Sequence, residues 1–169
     1  MNLLQKFKEL DGVKVKMHDG LYICTYSNLG VDWNNELYRM ARGIILNNQG
    51  EVVASPYTKF FNYQELQNRD DLSEDTKRLS IWEDEEYIST EKIYGSLAIV
   101  FWNPIKNCIS YATSSSLSSD LIESLKDYIE NKGDEKALSL PNDERVRESL
   151  HEVEHPNKRA LAILYLMET

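Results

Sequence analysis

The stretch Met40-Ala41-Arg42-Gly43-Ile44-Ile45-Leu46-Asn47-Asn48-Gln49-Gly50-Glu51-Val52-Val53-Ala54 decides the fold. Two apolar runs, 43–46 and 51–54, flank Asn-Asn-Gln-Gly, a turn signal that returns one strand beside the other. Upstream, residues 21–26 read as another strand. The turn His18-Asp19-Gly20 joins it to the alternating Val13, Val15 and Met17 as a hairpin. Leu3, Leu4, Phe7 and Leu10 keep helical spacing before that hairpin, and Gly12 can stop the helix. The first sixty residues therefore predict a helix followed by antiparallel sheet.

Downstream, residues 66–86 are polar and acidic with little periodicity, which suits a solvated surface connection or short helical turns. Residues 86–90, 96–102 and 108–112 suggest three more strands, the last two joined around Asn103-Pro104-Ile105-Lys106-Asn107. Ser118 or Ser119 can cap a helix with the face Leu121, Ile122, Leu125, Tyr128 and Ile129, ending near Gly133. Residues 142–154 suggest a further helix, and the apolar run 161–167 fits strand or helix equally. The fold class expected is α+β, built on antiparallel sheet.

At 169 residues and 41% hydrophobic, the chain suffices for one domain burying roughly 70% of its unfolded surface. No apolar run approaches the roughly 20 residues that span a bilayer, so no membrane association and a cytoplasmic setting are expected. Cys24 and Cys108 lie in apolar strand-like runs and read as small core side chains in a reducing compartment. The net charge of −9 argues against broad nonspecific attraction to nucleic acid. Its distribution is uneven: residues 1–62 carry seven basic and six acidic groups, whereas residues 63–91 carry three and ten. A local phosphate pocket is compatible with that pattern.

The three histidines, His18, His151 and His155, are scattered, no Cys/His ligand spacing occurs, and no glycine-rich phosphate loop is present. What remains is a set of cations at strand ends: Arg42 before Gly43, Lys59 within Pro56-Tyr57-Thr58-Lys59-Phe60-Phe61-Asn62, and Lys92 within Lys92-Ile93-Tyr94-Gly95-Ser96. A turn lysine taken alone is most often solvated. Lys92 becomes a nucleophile only if desolvation or nearby positive charge, which Arg42 and Lys59 can supply, lowers its pKa. Arg42 suits a phosphate oxygen or a carboxylate, and surface ion pairing is the plainer alternative for it and for Lys59. Phe60 and Phe61, if on a strand, face opposite ways, one toward the core and one toward a site. Tyr26 reads as a core-edge tyrosine or a ligand contact. Serines 114–119 can donate to phosphate or simply cap a helix.

In order and spacing, Met40 to Leu46, then Gly50, then Ala54-Ser55-Pro56 and Lys59-Phe60-Phe61-Asn62, with Tyr22 to Ser27 before and Lys92-x-x-Gly95-Ser96-Leu97 after, resemble the upstream signature of phage tRNA-repair type ATP-dependent RNA ligases. The resemblance covers roughly residues 20–125 and, more loosely, the helix expected at 142–154. It implies an antiparallel-sheet covalent nucleotidyltransferase fold of ATP-grasp-like kind, with residues 1–169 as the N-terminal part of an adenylyltransferase domain incomplete at its C-terminus. It further implies ATP and Mg²⁺ as cofactors and broken tRNA-like ends as RNA substrate. Lys92 would attack the α-phosphate of ATP and hold AMP as a phosphoramidate. The same resemblance makes Arg42 and Lys59 phosphate contacts, sets Tyr26 and Phe61 near the nucleotide, and gives Gly95 and Ser96 the shaping of the turn. Glu168 would begin a later acidic motif.

Two positions depart from the family pattern. The third residue of the lysine motif, Asp or Asn in the family, is Tyr94, and the basic residue usual in the segment corresponding to 112–119 is serine. The family's further acidic and lysine motifs would fall beyond Thr169. Three readings follow: an RNA ligase-like nucleotidyltransferase, a catalytically inactive remnant serving as a nucleotide- or protein-binding module, and a split enzyme completed by a second polypeptide.

Overall fold

The computed structural model describes residues 1–27, 29–78, 96–123, 126 and 162–166. The elements are α1 (Leu3–Glu9), β1 (Val13–His18), β2 (Leu21–Tyr26), α2 (Glu36–Met40), β3 (Arg42–Leu46), β4 (Val52–Ala54), α3 (Tyr63–Gln67), α4 (Glu74–Arg78), β5 (Ser96–Asn103), β6 (Cys108–Thr113) and β7 (Ala162–Leu166). They form a mixed α+β fold with two antiparallel sheets, ordered β1-β2-β3-β4 and β6-β5-β7.

The period of two along the strands builds two cores from one sheet. Leu21, Ile23, Ile45 and Ala54 turn to one face and pack with Ile99, Phe101 and Ala112 of the second sheet. Cys24, Ile44 and Leu46 turn to the other face and pack with Leu4 and Phe7 of α1 and with Ala41. A one-residue slip would exchange the two sets, so the register is strongly specified. α1 starts on Asn2, whose side chain accepts from the Gln5 N–H while the Gln5 side chain accepts from the Asn2 N–H.

The strand at 13–18, the hairpin turn, the strands around the Asn47–Gly50 turn and those on either side of 104–107 all occur as the spacing predicts. Within the described part of the acidic stretch, residues 66–78, α3 ends and α4 forms a short helical turn. The Ser119 hydroxyl and carbonyl accept from the Ile122 N–H, so Ser119 begins the helical turn there. The ambiguous run near 161–167 is a strand over Ala162–Leu166, because it finds a long-range partner in β5. The expected strand at 86–90, the helix at 142–154 and the helical face beyond Glu123 lie outside the described residues. One expectation fails: Cys108 is exposed, since it opens β6 at the rim of the sheet opposite Asn103, and only Cys24 is core.

The sheets meet at both ends. At one end the two hairpin tips clasp: Lys106 Nζ lies 2.7 Å from Asp19 Oδ2, and a Cβ on Gly20 would meet Ile105 Cδ1 at 2.9 Å. At the other end β2 and β3 slip register, with Cys24 opposite Ile44 but Thr25 opposite Arg42. Gly43 is the extra residue of this bulge, at φ +102°, and its Cα face lies against the backbone of Ser114 just past β6.

Candidate functional site

The bulge end gathers the residues of interest. Tyr26 closes β2 and its N–H donates to Ala41 O at 2.7 Å, while Arg42 opens β3. Because the strands are antiparallel, Thr113 pairs with Ala98 near the start of β5, and Ser96 pairs with the last β7 residue, Leu166. The Gly43–Ser114 contact then brings the Arg42 end of one sheet to the Thr113 end of the other. Bulges beside functional sites commonly re-aim a side chain in this way.

Arg42 places its guanidinium carbon 4.7 Å from the centroid of the Phe60 ring. Lys59 Nζ lies 4.4 Å from the centroid of Phe61 and 6.0 Å from that of Trp33, and Arg69 approaches Phe61 at 5.3 Å. Such contacts contribute about 0.5–1 kcal/mol each at exposed sites. Arg69 is already neutralised by Asp71 and Glu65. Among the described residues, neither Arg42 nor Lys59 has an ion-pair partner.

Burial holds the Lys59 ammonium below the usual lysine value. Glu65 opposes this shift, and the charges of Arg42 and Arg69 add to it. The amine donates to Phe60 O at 2.7 Å. Lys59 is thus a compact, partly desolvated cation whose attraction for phosphate is screened less than at an open surface.

The aromatic framework depends on a residue that spacing alone did not single out. Trp33 stands edge-on to Tyr26 at 4.9 Å and to Phe61 at 5.9 Å, so it joins two residues distant in sequence. Arg39 fixes its loop by donating to Trp33 O at 2.6 Å and Asn34 O at 2.9 Å, while Arg39 O accepts from the Lys59 N–H at 2.8 Å. Asn34 continues the tether: its Oδ1 accepts from the Ser73 N–H and the Thr76 hydroxyl, and its amide donates to Asp71 O. The only sequence signal for Trp33 was a lone indole in a polar loop; Arg69 gave none.

Phe60 and Phe61 do divide between surface and interior, although on an irregular segment instead of a strand. Phe61 is 6% exposed, packed with Leu66, Leu72 and Trp33, and Phe60 is 47% exposed. Beyond Gly43, the serine segment after β6 lines a shallow depression of about 480 Å³ with Leu97 and Leu121. Ser96 opens β5. Lys92, Tyr94, Gly95 and Glu168 lie outside the described residues. Among the described residues no three His, Cys, Asp or Glu side chains gather as a metal site, and no helix is long and apolar enough to cross a membrane.

A family model described as RNA ligase matches residues 40–161. The chain belongs to the RNA ligase family. No curated protein matches it. The ligase match opens two residues before Arg42 and takes in Lys59, Phe61, Lys92, Gly95 and Ser96. It leaves Tyr26 and Trp33 upstream and Glu168 downstream. A ligase-like nucleotidyl transfer requires cations held where phosphate charge develops, and Arg42 and Lys59 have that character.

Proposed function

We propose that the chain is the nucleotide-accepting part of an ATP-dependent RNA ligase of the phage tRNA-repair kind, on a covalent nucleotidyltransferase fold. The Lys92 amine attacks the α-phosphorus of ATP, a P–N bond forms, and the bond to the bridging oxygen breaks with release of pyrophosphate. The amine proton leaves to solvent or a neighbouring base. The AMP moiety then passes to an RNA 5′-phosphate, and a 3′-hydroxyl displaces it to seal the strand.

The observation that carries this reading is the convergence of Arg42 and Lys59, without carboxylate partners among the described residues, within a segment matched by the RNA ligase family. Both would bind phosphate oxygens and hold the triphosphate against Lys92. Tyr26 and Phe61, joined through Trp33, would wall the nucleotide side. Mg²⁺ would offset phosphate charge during such a transfer. Among the described residues no acidic cluster gathers for it.

Tyr94 favours a second reading. Where the family's lysine motif has a small carboxylate or amide, a phenol cannot make the same contact. On that reading the site binds nucleotide without transferring it. Incubation with α-labelled ATP and Mg²⁺, followed by denaturing electrophoresis of wild type and Lys92→Ala, separates the two. Covalent label lost in the variant is expected. An unlabelled wild type that still binds ATP would leave the binding module.

A further inference from the structure

Between β4 and α3, residues 55–62 have no regular secondary structure, yet they are pinned at three points. Pro56 is buried, the Lys59 N–H donates to Arg39 O, and Phe61 enters the small core with Leu66 and Leu72. Held in this way, the segment presents Tyr57 and Phe60 outward, 69% and 47% exposed. A lone exposed ring needs no account. Phe60 is more than that, because the Arg42 guanidinium lies over its ring at 4.7 Å from the centroid while nearly half of the residue stays open to solvent.

We propose that Phe60 is a stacking platform for a nucleobase of a single-stranded RNA end, backed by Arg42 and distinct from the nucleotide wall at Phe61. The substrate class rests on the RNA-ligase reading above; the platform rests on the geometry. An aromatic ring accepts any base, since every base has a π-face, and a pinned ring loses little freedom on stacking. A bound adenine of ATP is a poorer occupant, because small-ligand sites enclose most of the ligand's surface and Phe60 stands in the open. With a net charge of −9, the chain lacks the broad cationic surface on which phosphate-dominated binding relies. Stacking at Phe60 supplies what that surface does not, helped locally by Arg42 and Lys59. The expected binding is modest and only weakly dependent on salt.

The test uses the full chain and a short single-stranded oligoribonucleotide bearing a 5′-phosphate, followed by fluorescence anisotropy. Phe60→Ala and Phe60→Leu should weaken binding roughly ten- to a hundred-fold, the range expected for one stacked base. Phe60→Trp should restore it, and an abasic oligonucleotide should bind wild type no better than the intact one binds Phe60→Ala. Lys92 labelling by ATP is measured in the same preparations as a separate readout of adenylyl transfer, with circular dichroism to show that each variant is folded. Equal RNA affinity across the Phe60 variants, or no RNA binding by the wild type, would overturn the platform. Phe60-dependent RNA binding in a protein that takes no AMP label would sustain the platform and sink the adenylyl-transfer reading alone.

Discussion

Gly43 lies against the backbone of Ser114 so closely that a Cβ on it would stand 2.9 Å from Ser114 Cα and 3.1 Å from Ser114 O. The residue also has φ +102°, a conformation that side chains resist. Gly43→Ala should therefore destabilise the chain by roughly 2 kcal/mol or more, combining backbone strain with a clash that backbone atoms cannot relieve. Urea unfolding should show a lower midpoint with an unchanged slope. An unaltered midpoint would mean that the two sheets do not meet there.

Asn34 is the tether of the Trp33 loop, bonded at once to Asp71, Ser73 and Thr76. Thr76 is only 4% exposed, so Asn34→Ala removes one partner from a buried hydroxyl and should cost about 1–2 kcal/mol. Hydrogen exchange should quicken at residues 71–77 before it does in β2 and β3. Uniform quickening across the sheet would indicate global loss of stability instead of a released tether.

The Asp19 carboxyl is held below its ordinary 3.8 by its hydrogen bond with Lys106, helped by the charges of His18 and Lys106. A carboxyl with a lowered folded-state pKa adds stability above the unfolded value, and that contribution is lost as pH falls through the folded one. Lys106→Ala should raise the Asp19 pKa toward the ordinary range and flatten this part of the acid limb. Carboxyl titration by NMR in wild type and variant reads the shift directly.

The two thiols should separate cleanly in a reaction with an aromatic disulfide reagent at mildly alkaline pH. Cys108 is exposed and should react at once. Cys24 is buried, and burial pushes its thiol up to about 12 against the opposing pull of Lys8, so it should react only on unfolding. Rapid modification of two thiols in the native protein would contradict the packing of Cys24 beneath α1.

Arg42→Lys keeps the charge but gives up the planar group stacked on Phe60 and its paired donors. If Arg42 grips phosphate, AMP labelling of Lys92 should fall by about ten- to a hundred-fold, with folding intact by circular dichroism. Labelling at the wild-type rate would show that a point charge suffices.

How far the chain's order could be read varied with the range of the forces involved. The alternations in β2 and β3 were legible because each face meets its own core, so Ile44 and Ile45 had to part company. α2 was not legible: its five residues make less than two turns, and its start depends on Asn35 capping Leu37, a local bond without periodicity. β7 was ambiguous until its partner β5, distant in sequence, was in view. Of the site, Arg42 stood out as a cation at a strand end; Lys59, expected at one too, lies in the irregular segment after β4. Trp33 and Arg69 did not stand out, since their importance comes from rings and carbonyls brought to them by the fold.

The Asp19–Lys106 clasp and the Gly43–Ser114 seam sit at opposite ends of the facing sheets. A slide of either sheet by one residue, about 3.4 Å, would tear both at once. The pair thus behaves as a beam pinned at each end, stiff against shear. Arg42 and Tyr26, beside the seam, are thereby held to both sheets at once.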